Sequence, residues 1–249
     1  MGGTHAIGVD VGGTKILAGV VGRDGSVVQR RERTTPTGSQ EELLLALEGA
    51  VEELLRDDVV GIGFGVPSPI DQKHGRVVQS VNIPLTDVDF RDRMAKRFGR
   101  PVGLDNDANA AAIAEWAAGA ARGVSNMVML TLGTGVGGGL VLGGKAYRGS
   151  TGAGAELGHT VVVHDGPACQ GTCTGRGHLE AVASGRAAGE AAKEAFGPGA
   201  DAHRLVRLAD EGDETARGIL TRVARYLGSG LGSLVNVFNP ELIVIGGGF

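Results

Sequence analysis

Hydrophobic positions recur along this chain with two periods, and the switches between them lay out its elements. Apolar, β-rich segments near 5–10, 15–21 and 26–29 predict three short strands joined by tight turns. Leu43, Leu44, Leu47, Val51, Leu54 and Leu55 then repeat at helix spacing and predict a helix over about 40–56. Val59–Gly65 reads as a buried strand ending in the turn-rich Val66-Pro67-Ser68-Pro69. Val102–Leu104 reads as a short strand running into Asp105-Asn106-Asp107-Ala108-Asn109, with an Ala-rich helix following to about Ala121. From Asn126 the pattern begins again. It gives a strand over Met127–Leu132, a Gly-rich turn, a strand over Leu140–Leu142, helices at about 178–196 and 202–237, and a last strand Leu242–Ile245. One design used twice argues for two α/β lobes with a cleft between them, 1–120 and 121–249.

Glycine sharpens this picture. The chain has 45 glycines in 249 residues, well over twice the usual share of roughly 7%, so many turns must approach something closely. Val9-Asp10-Val11-Gly12-Gly13-Thr14-Lys15 and Gly133-Thr134-Gly135-Val136-Gly137-Gly138-Gly139 each lie between apolar runs. Backbone N–H groups in such turns form anion-binding concavities, so the pair predicts a grip on phosphates. Two stricter phosphate motifs nearly match and fail. Gly133–Gly138 has the G-x-G-x-x-G spacing, but Gly139-Leu140-Val141-Leu142 continues as a strand where a dinucleotide site needs a helix. Gly139–Lys145 has P-loop spacing, yet Ala146 stands where a hydroxyl should bind magnesium. An ordinary hairpin is the alternative for either turn alone. Their repetition, with Asp10 beside the first, favours phosphate.

Charge narrows the partners. Lys and Arg number 24 against 28 Asp and Glu, a net charge of −4 with no basic block, so no nucleic-acid footprint is present. No apolar stretch reaches membrane-span length and the first residues lack a signal-peptide layout, which makes a cytoplasmic, small-molecule protein the expectation. Asp107, between a strand and a helix, reads either as a general base or as a helix cap, and Asn106 and Asn109 share the capping alternative. Cys169 and Cys173 with His159 and His178 offer two thiolates and two imidazoles, enough for a closed zinc site. His164 could replace one of them, and two free cysteines beside a helix-start His is the plainer alternative.

Taken together, Asp10-Val11-Gly12-Gly13-Thr14-Lys15, Asn106-Asp107-Ala108-Asn109, the second Gly-rich turn, and Gly154-Ala155-Glu156-Leu157-Gly158-His159 with the Cys-containing loop after it resemble the ROK family (repressors, open reading frames and sugar kinases). The likeness is strongest to its bacterial glucokinases and runs from about residue 5 to the last residue. It implies an α/β, actin/hexokinase-like (ribonuclease H-like) fold of two lobes with a central cleft for sugar and ATP. The activity implied is ATP-dependent phosphorylation of a hexose, with glucose to glucose 6-phosphate first in line and mannose, fructose or an N-acetylhexosamine as alternatives. ATP or polyphosphate as donor stays open.

By that resemblance Asp107 is the catalytic base, and Asn82, Asn106, Asp107, Glu156, His159 and Glu180 contact the sugar. ATP is held by Gly12, Gly13, Thr14, Lys15, Gly133, Thr134, Gly135, Gly137, Gly246 and Gly247. Asp10 is assigned to Mg²⁺, largely through water. Ser68 and Asp71 are weaker candidates near the cleft. The helix dipole is expected to keep Asp107 ionised. The family usually supplies His plus three Cys for zinc. Here three residues separate the cysteines and His178 takes the third cysteine's place, which leaves His159, Cys169, Cys173 and His178 as the implied structural zinc ligands. Family members continue for several elements beyond the position of Phe249, so an incomplete second lobe and weak ATP binding are expected. A homo-oligomer, dimer or tetramer, is implied as well. The family's repressors carry an N-terminal helix-turn-helix, for which the first phosphate turn leaves no room, and a non-catalytic sugar-binding protein is the remaining alternative.

Overall fold

The computed structural model describes residues 4–80, 82–171 and 173–249. The chain divides into two compact units: Met1–Arg122 with Tyr147–Gly154, and Gly123–Ala146 with Ala155–Phe249. Tyr147–Gly154 thus belongs with the first unit, although it follows the opening strands of the second.

In the first unit, β1 (His5–Val11), β2 (Lys15–Gly22) and β3 (Val27–Thr34) form the expected antiparallel meander. Alternation drives it: Ile7, Val9 and Val11 of β1 and Ile16, Ala18 and Val20 of β2 are buried on one face. β3 extends to Thr34, five residues past the expected end, and most of its side chains are exposed. It is an edge strand, so polar residues can occupy it without an apolar signal. Ser39 starts α1 (Gln40–Glu52) by accepting the Glu42 N–H, and Leu43, Leu44, Leu47 and Val51 bury its inner face. β4 (Val59–Val66) and β8 (Val102–Asn106) then add in parallel, giving the order β3-β2-β1-β4-β8. Between them lie a small sheet, β5 (Ile70–Asp71), β6 (Arg76–Gln79) and β7 (Thr86–Val88), and the helix α2 (Phe90–Phe98). These were not expected from the sequence, although Phe90, Met94 and Phe98 are buried at i, i+4 and i+8. α3 (Asp107–Ala118) closes the unit's regular structure.

The second unit repeats the scheme. β9 (Met127–Leu132) and β10 (Val136–Leu142) form a hairpin, β11 (Lys145–Tyr147) extends it, and β12 (Leu242–Gly247) joins β9 in parallel, just as β4 joins β1. The helix expected over 178–196 is two, α4 (Leu179–Ala183) and α5 (Gly185–Phe196), because Ser184 stops one and caps the next through the Ala187 N–H. The helix expected over 202–237 also divides, into α6 (Ala202–Asp210) and α7 (Glu214–Phe238), with Asp213 capping the second. No helix is long and apolar enough to cross a membrane among the described residues.

One polar network braces the end of β8. Asp105 is buried, and its Oδ2 accepts from Arg148 Nε and Nη2 at 2.8 and 2.6 Å. Its Oδ1 accepts from Gln72 Nε2 at 3.1 Å and from the Asn106 N–H at 3.0 Å. Four donors on one buried carboxylate make the pair costly to open, since either charge alone would lose its compensation. Arg148→Met should therefore destabilise the chain by about 2–3 kcal/mol in urea denaturation, less than for a fully buried pair because Arg148 keeps part of its side chain in water. A loss under about 0.5 kcal/mol, the scale of a surface pair, would contradict this.

Candidate functional site

Three parallel strands set the candidate site residues of the first unit. Asp10 of β1 lies opposite Gly65 of β4, and Gly65 lies opposite Asp105 of β8. Their carboxyl ends therefore share one edge of the sheet, where α/β folds place ligand chemistry. The chain turns from that edge directly into α3, whose first residue is Asp107.

Asn106 is the cap of that helix. Its Oδ1 accepts the N–H groups of Ala108 and Asn109 at 3.0 and 3.1 Å, so the capping reading of Asn106 holds. Asp107 Oδ1 accepts from the Ala108 N–H at 2.8 Å. The helix start pulls the Asp107 carboxyl toward its ionised form, as expected, and burial opposes it. Burial raises the Asp107 carboxyl above the ordinary aspartate value, while the Ala108 and Asp107 N–H groups and the Asn106 side chain pull it down without prevailing. A raised carboxylate is the better proton acceptor.

Asp10 feels the same environment. Its carboxyl is raised by desolvation first and by the negative charge of Asp107 second, with Lys15 opposing. The two carboxylates are thus electrostatic neighbours, which like charges tolerate best with a cation or a shared proton between them. Next to Asp10, the turn from Gly12 to Lys15 is a tight hairpin in which the Gly12 N–H donates to the Lys15 carbonyl at 2.9 Å. Buried Thr35 accounts for two of its carbonyls, donating from Oγ1 to Gly12 and from its N–H to Thr14. The tip residues Gly13 and Thr14 remain exposed, with the Asn82 backbone beside Gly13. Lys15 leans toward Glu32, Nζ to Oε2 3.5 Å. Ser68 and Asp71 are occupied structurally: Ser68 is buried against the Pro69 carbonyl, and Asp71 caps its own turn and pairs with His74.

In the second unit the glycine turn is shorter than the sequence suggested. Gly133, Thr134 and Gly135 make it, with the Gly133 N–H donating to the Gly135 carbonyl at 3.0 Å. Gly137 lies inside β10 opposite Thr131, so its place in a phosphate turn is corrected to a strand position. Glu180 of α4 accepts the Val136 N–H on Oε2 at 2.9 Å. A Cβ on Gly135 would crowd that oxygen and require the Glu180 carboxylate to shift. Gly246 and Gly247 end β12 rather than follow it. Gly247 has φ +114° and meets the Leu132 carbonyl where a Cβ would stand, a close backbone approach that only glycine permits.

The metal cluster assembles from three segments. His159 closes a short 3₁₀ turn (Leu157–His159) after exposed Glu156, Cys169 and Cys173 come from the loop, and His178 is the residue before α4. His159 Nδ1 lies 3.1 Å from His178 Nδ1, 3.7 Å from Cys169 Sγ and 3.6 Å from Cys173 Sγ, and His178 Nδ1 lies 3.7 Å from Cys173 Sγ. Tetrahedral zinc at ordinary Zn–N and Zn–S lengths requires edges of about 3.3–3.8 Å; the three nitrogen–sulfur separations fall in that range, the two imidazole nitrogens sit slightly closer, and all four atoms lie within 4.8 Å of one another. His164 is almost wholly exposed beside Asp165 and is no ligand. Burial, then Cys173 and Glu180, push the Cys169 thiol up to about 11. A bound cation reverses that balance by stabilising the thiolate. The sequence did not mark Gln170, whose Nε2 donates to Ser184 Oγ at 2.8 Å, nor Asp105, Gln72 and Arg148 behind Asn106. Neither set follows a spacing rule.

The family model for the ROK family matches residues 6–249. The glucokinase of Thermotoga maritima is 39% identical over 259 residues, covering 97% of this chain and 81% of its own length. The ROK hexokinase structure from Thermus thermophilus is 42% identical with a TM-score of 0.85, covering 98% of this chain and 82% of that one. The ROK family glucokinase from Streptomyces griseus, solved in complex with glucose and AMPPNP, is 36% identical with a TM-score of 0.85 over 98% of this chain and 83% of that one. Motifs, fold and these likenesses converge: the chain belongs to the ROK family.

Proposed function

We propose that this chain is an ATP-dependent hexose kinase, with glucose as its leading substrate and Asp107 as general base. The observation that carries this reading is the pair of neighbouring carboxylates at the strand ends, one at a helix start with its pKa raised by burial. Its likeness to the Thermotoga maritima glucokinase and to the glucose and AMPPNP complex from Streptomyces griseus supports the choice of substrates.

In this mechanism Asp107 accepts the proton of the attacking sugar hydroxyl as its oxygen bonds to the γ-phosphorus and the bond to the ADP oxygen breaks. Asp10 is suited to hold Mg²⁺ through water, and the ion would neutralise phosphate charge. The exposed tip at Gly13 and Thr14 and the turn Gly133–Gly135 serve the phosphates. Asn82, Asn106, Glu156 and His159 serve the hydroxyls. Asn106 contributes through its amide nitrogen, since its oxygen is committed to the helix. His159 turns Nδ1 to the metal cluster, which leaves Nε2 for the sugar. Glu180, bonded to Val136, joins the sugar set only in addition to that duty.

A panel of hexoses assayed for ADP release with ATP, and again with polyphosphate, tests the reading; glucose with ATP should give the highest kcat/KM, and no turnover with any hexose would refute it. Asp107→Asn should lower kcat by about 10²–10⁴-fold while glucose still binds, measured by calorimetry. Full residual turnover would remove Asp107 as base. For the cluster, elemental analysis should find one zinc per chain, lost in Cys169→Ser and Cys173→Ser together with a lower Tm. A wild-type chain that takes up no zinc would contradict the four-ligand assignment.

A further inference from the structure

The metal loop and the second glycine turn are joined by a continuous set of hydrogen bonds that neither zinc ligation nor sugar binding requires. Gln170 lies in the loop between the two cysteines and ligates nothing. Its Nε2 donates to Ser184 Oγ at 2.8 Å and to the Glu180 carbonyl at 3.3 Å. Ser184 is fully buried, and its Oγ also accepts the Ala187 N–H, so Gln170 braces the junction where α4 ends and α5 begins. The same junction grips the turn. The Gly185 N–H donates to the Gly133 carbonyl at 2.8 Å and the Arg186 N–H to the Thr134 carbonyl at 3.4 Å. From α4, Glu180 Oε2 accepts the Val136 N–H at 2.9 Å, while its other oxygen lies 3.9 Å from Cys169 Sγ. The turn is thus held at Gly133, Thr134 and Val136 by a support whose far side is the metal loop.

That loop has little regular structure of its own. Isolated bridges pair Val161 with His178 and Ala168 with Arg176 at its base, and around the cysteines backbone bonds run from the Cys169 N–H to the Gly175 carbonyl and from the Cys173 N–H to the Gln170 carbonyl. Four ligands drawn onto one ion would fix the segment between the cysteines more strongly than these few backbone bonds, and Gln170 would be fixed with it. We propose that metal binding at His159, Cys169, Cys173 and His178 rigidifies the Gly133–Gly135 turn through Gln170, Glu180 and Ser184, making Gln170 a positioning residue for nucleotide phosphates. The proposal rests on reading that turn as a phosphate turn. It gives the metal a second duty besides holding His159, because it couples zinc to the nucleotide as well as to the sugar.

The test is hydrogen exchange on the full chain, read by mass spectrometry over peptides spanning 131–140, with zinc loaded and after chelation. Chelation should speed exchange in the turn by about threefold or more, the signature of local opening. Gln170→Ala, with zinc content verified, should show the same speeding while loaded, and chelation should add little more. Unchanged exchange on chelation, or Gln170→Ala exchanging like the wild type with zinc in place, overturns the proposal. Should the alanine variant lose zinc, Gln170→Met, which keeps the side-chain length and removes the donor, replaces it under the same two outcomes. Calorimetry with AMPPNP and with glucose supplies the second readout: Gln170→Ala should weaken AMPPNP several-fold and leave glucose unchanged, whereas equal losses for both ligands indicate general loosening and contradict it. A wild-type chain that binds neither ligand would sink the kinase reading, while the exchange data would still decide the coupling.

Discussion

The register of three parallel strands governs the candidate chemistry of the first unit. β1, β4 and β8 are aligned so that Asp10, Gly65 and Asp105 share one row at the carboxyl edge. Side chains alternate faces along a strand, so slipping β8 by one residue would exchange buried Leu104 with its neighbours and move Asn106 and Asp107 away from Asp10. The register is locked from both directions. Apolar alternation in β1 and β4 fixes the buried face, and the Asp105 network with Gln72 and Arg148 fixes the end of β8. Asp107 inherits its position from these contacts, and its raised carboxyl follows from being placed there.

The second unit answers a different demand with the same plan. Its hairpin also leads to a parallel third strand, but the glycine turn is pressed from outside by Glu180 and by the first N–H groups of α5. Glycine at 247 is required by a close backbone approach at positive φ, and Gly135 leaves room for the Glu180 carboxylate. Two histidines and two cysteines gather in the loop that Gln170 ties to the junction of α4 and α5, a grouping able to hold a metal ion.

Much of this was legible in the sequence because period and motif spacing report on local structure. The strands of both hairpins, the capped start of α3 and the gathering of His159, Cys169, Cys173 and His178 follow from alternation, turn residues and ligand chemistry. The small sheet β5–β7 escaped because its strands are too short to show a period, and α2 escaped because charged residues fill the turns between Phe90, Met94 and Phe98. The divided helices were hidden because helix-compatible residues continue on both sides of each break, marked only briefly by Ser184-Gly185 and Gly212-Asp213. The upward pull on the Asp107 carboxyl was not legible because a helix start is visible in sequence and burial is not. Long-range polar partners such as Arg148 to Asp105 and Gln170 to Ser184 have no local signature at all.

The account depends on Asp10 and Asp107 acting as neighbouring like charges at one edge of the sheet, and carboxyl-carbon NMR titration of the isotopically labelled chain reads that directly. Asp107 should titrate above the ordinary aspartate value of about 3.9, and the pKa of Asp10 should fall when Asp107 is replaced by Asn, because a repelling charge has been removed. If both carboxyls titrate at ordinary values and Asp10 is indifferent to Asp107→Asn, the two groups do not share a site.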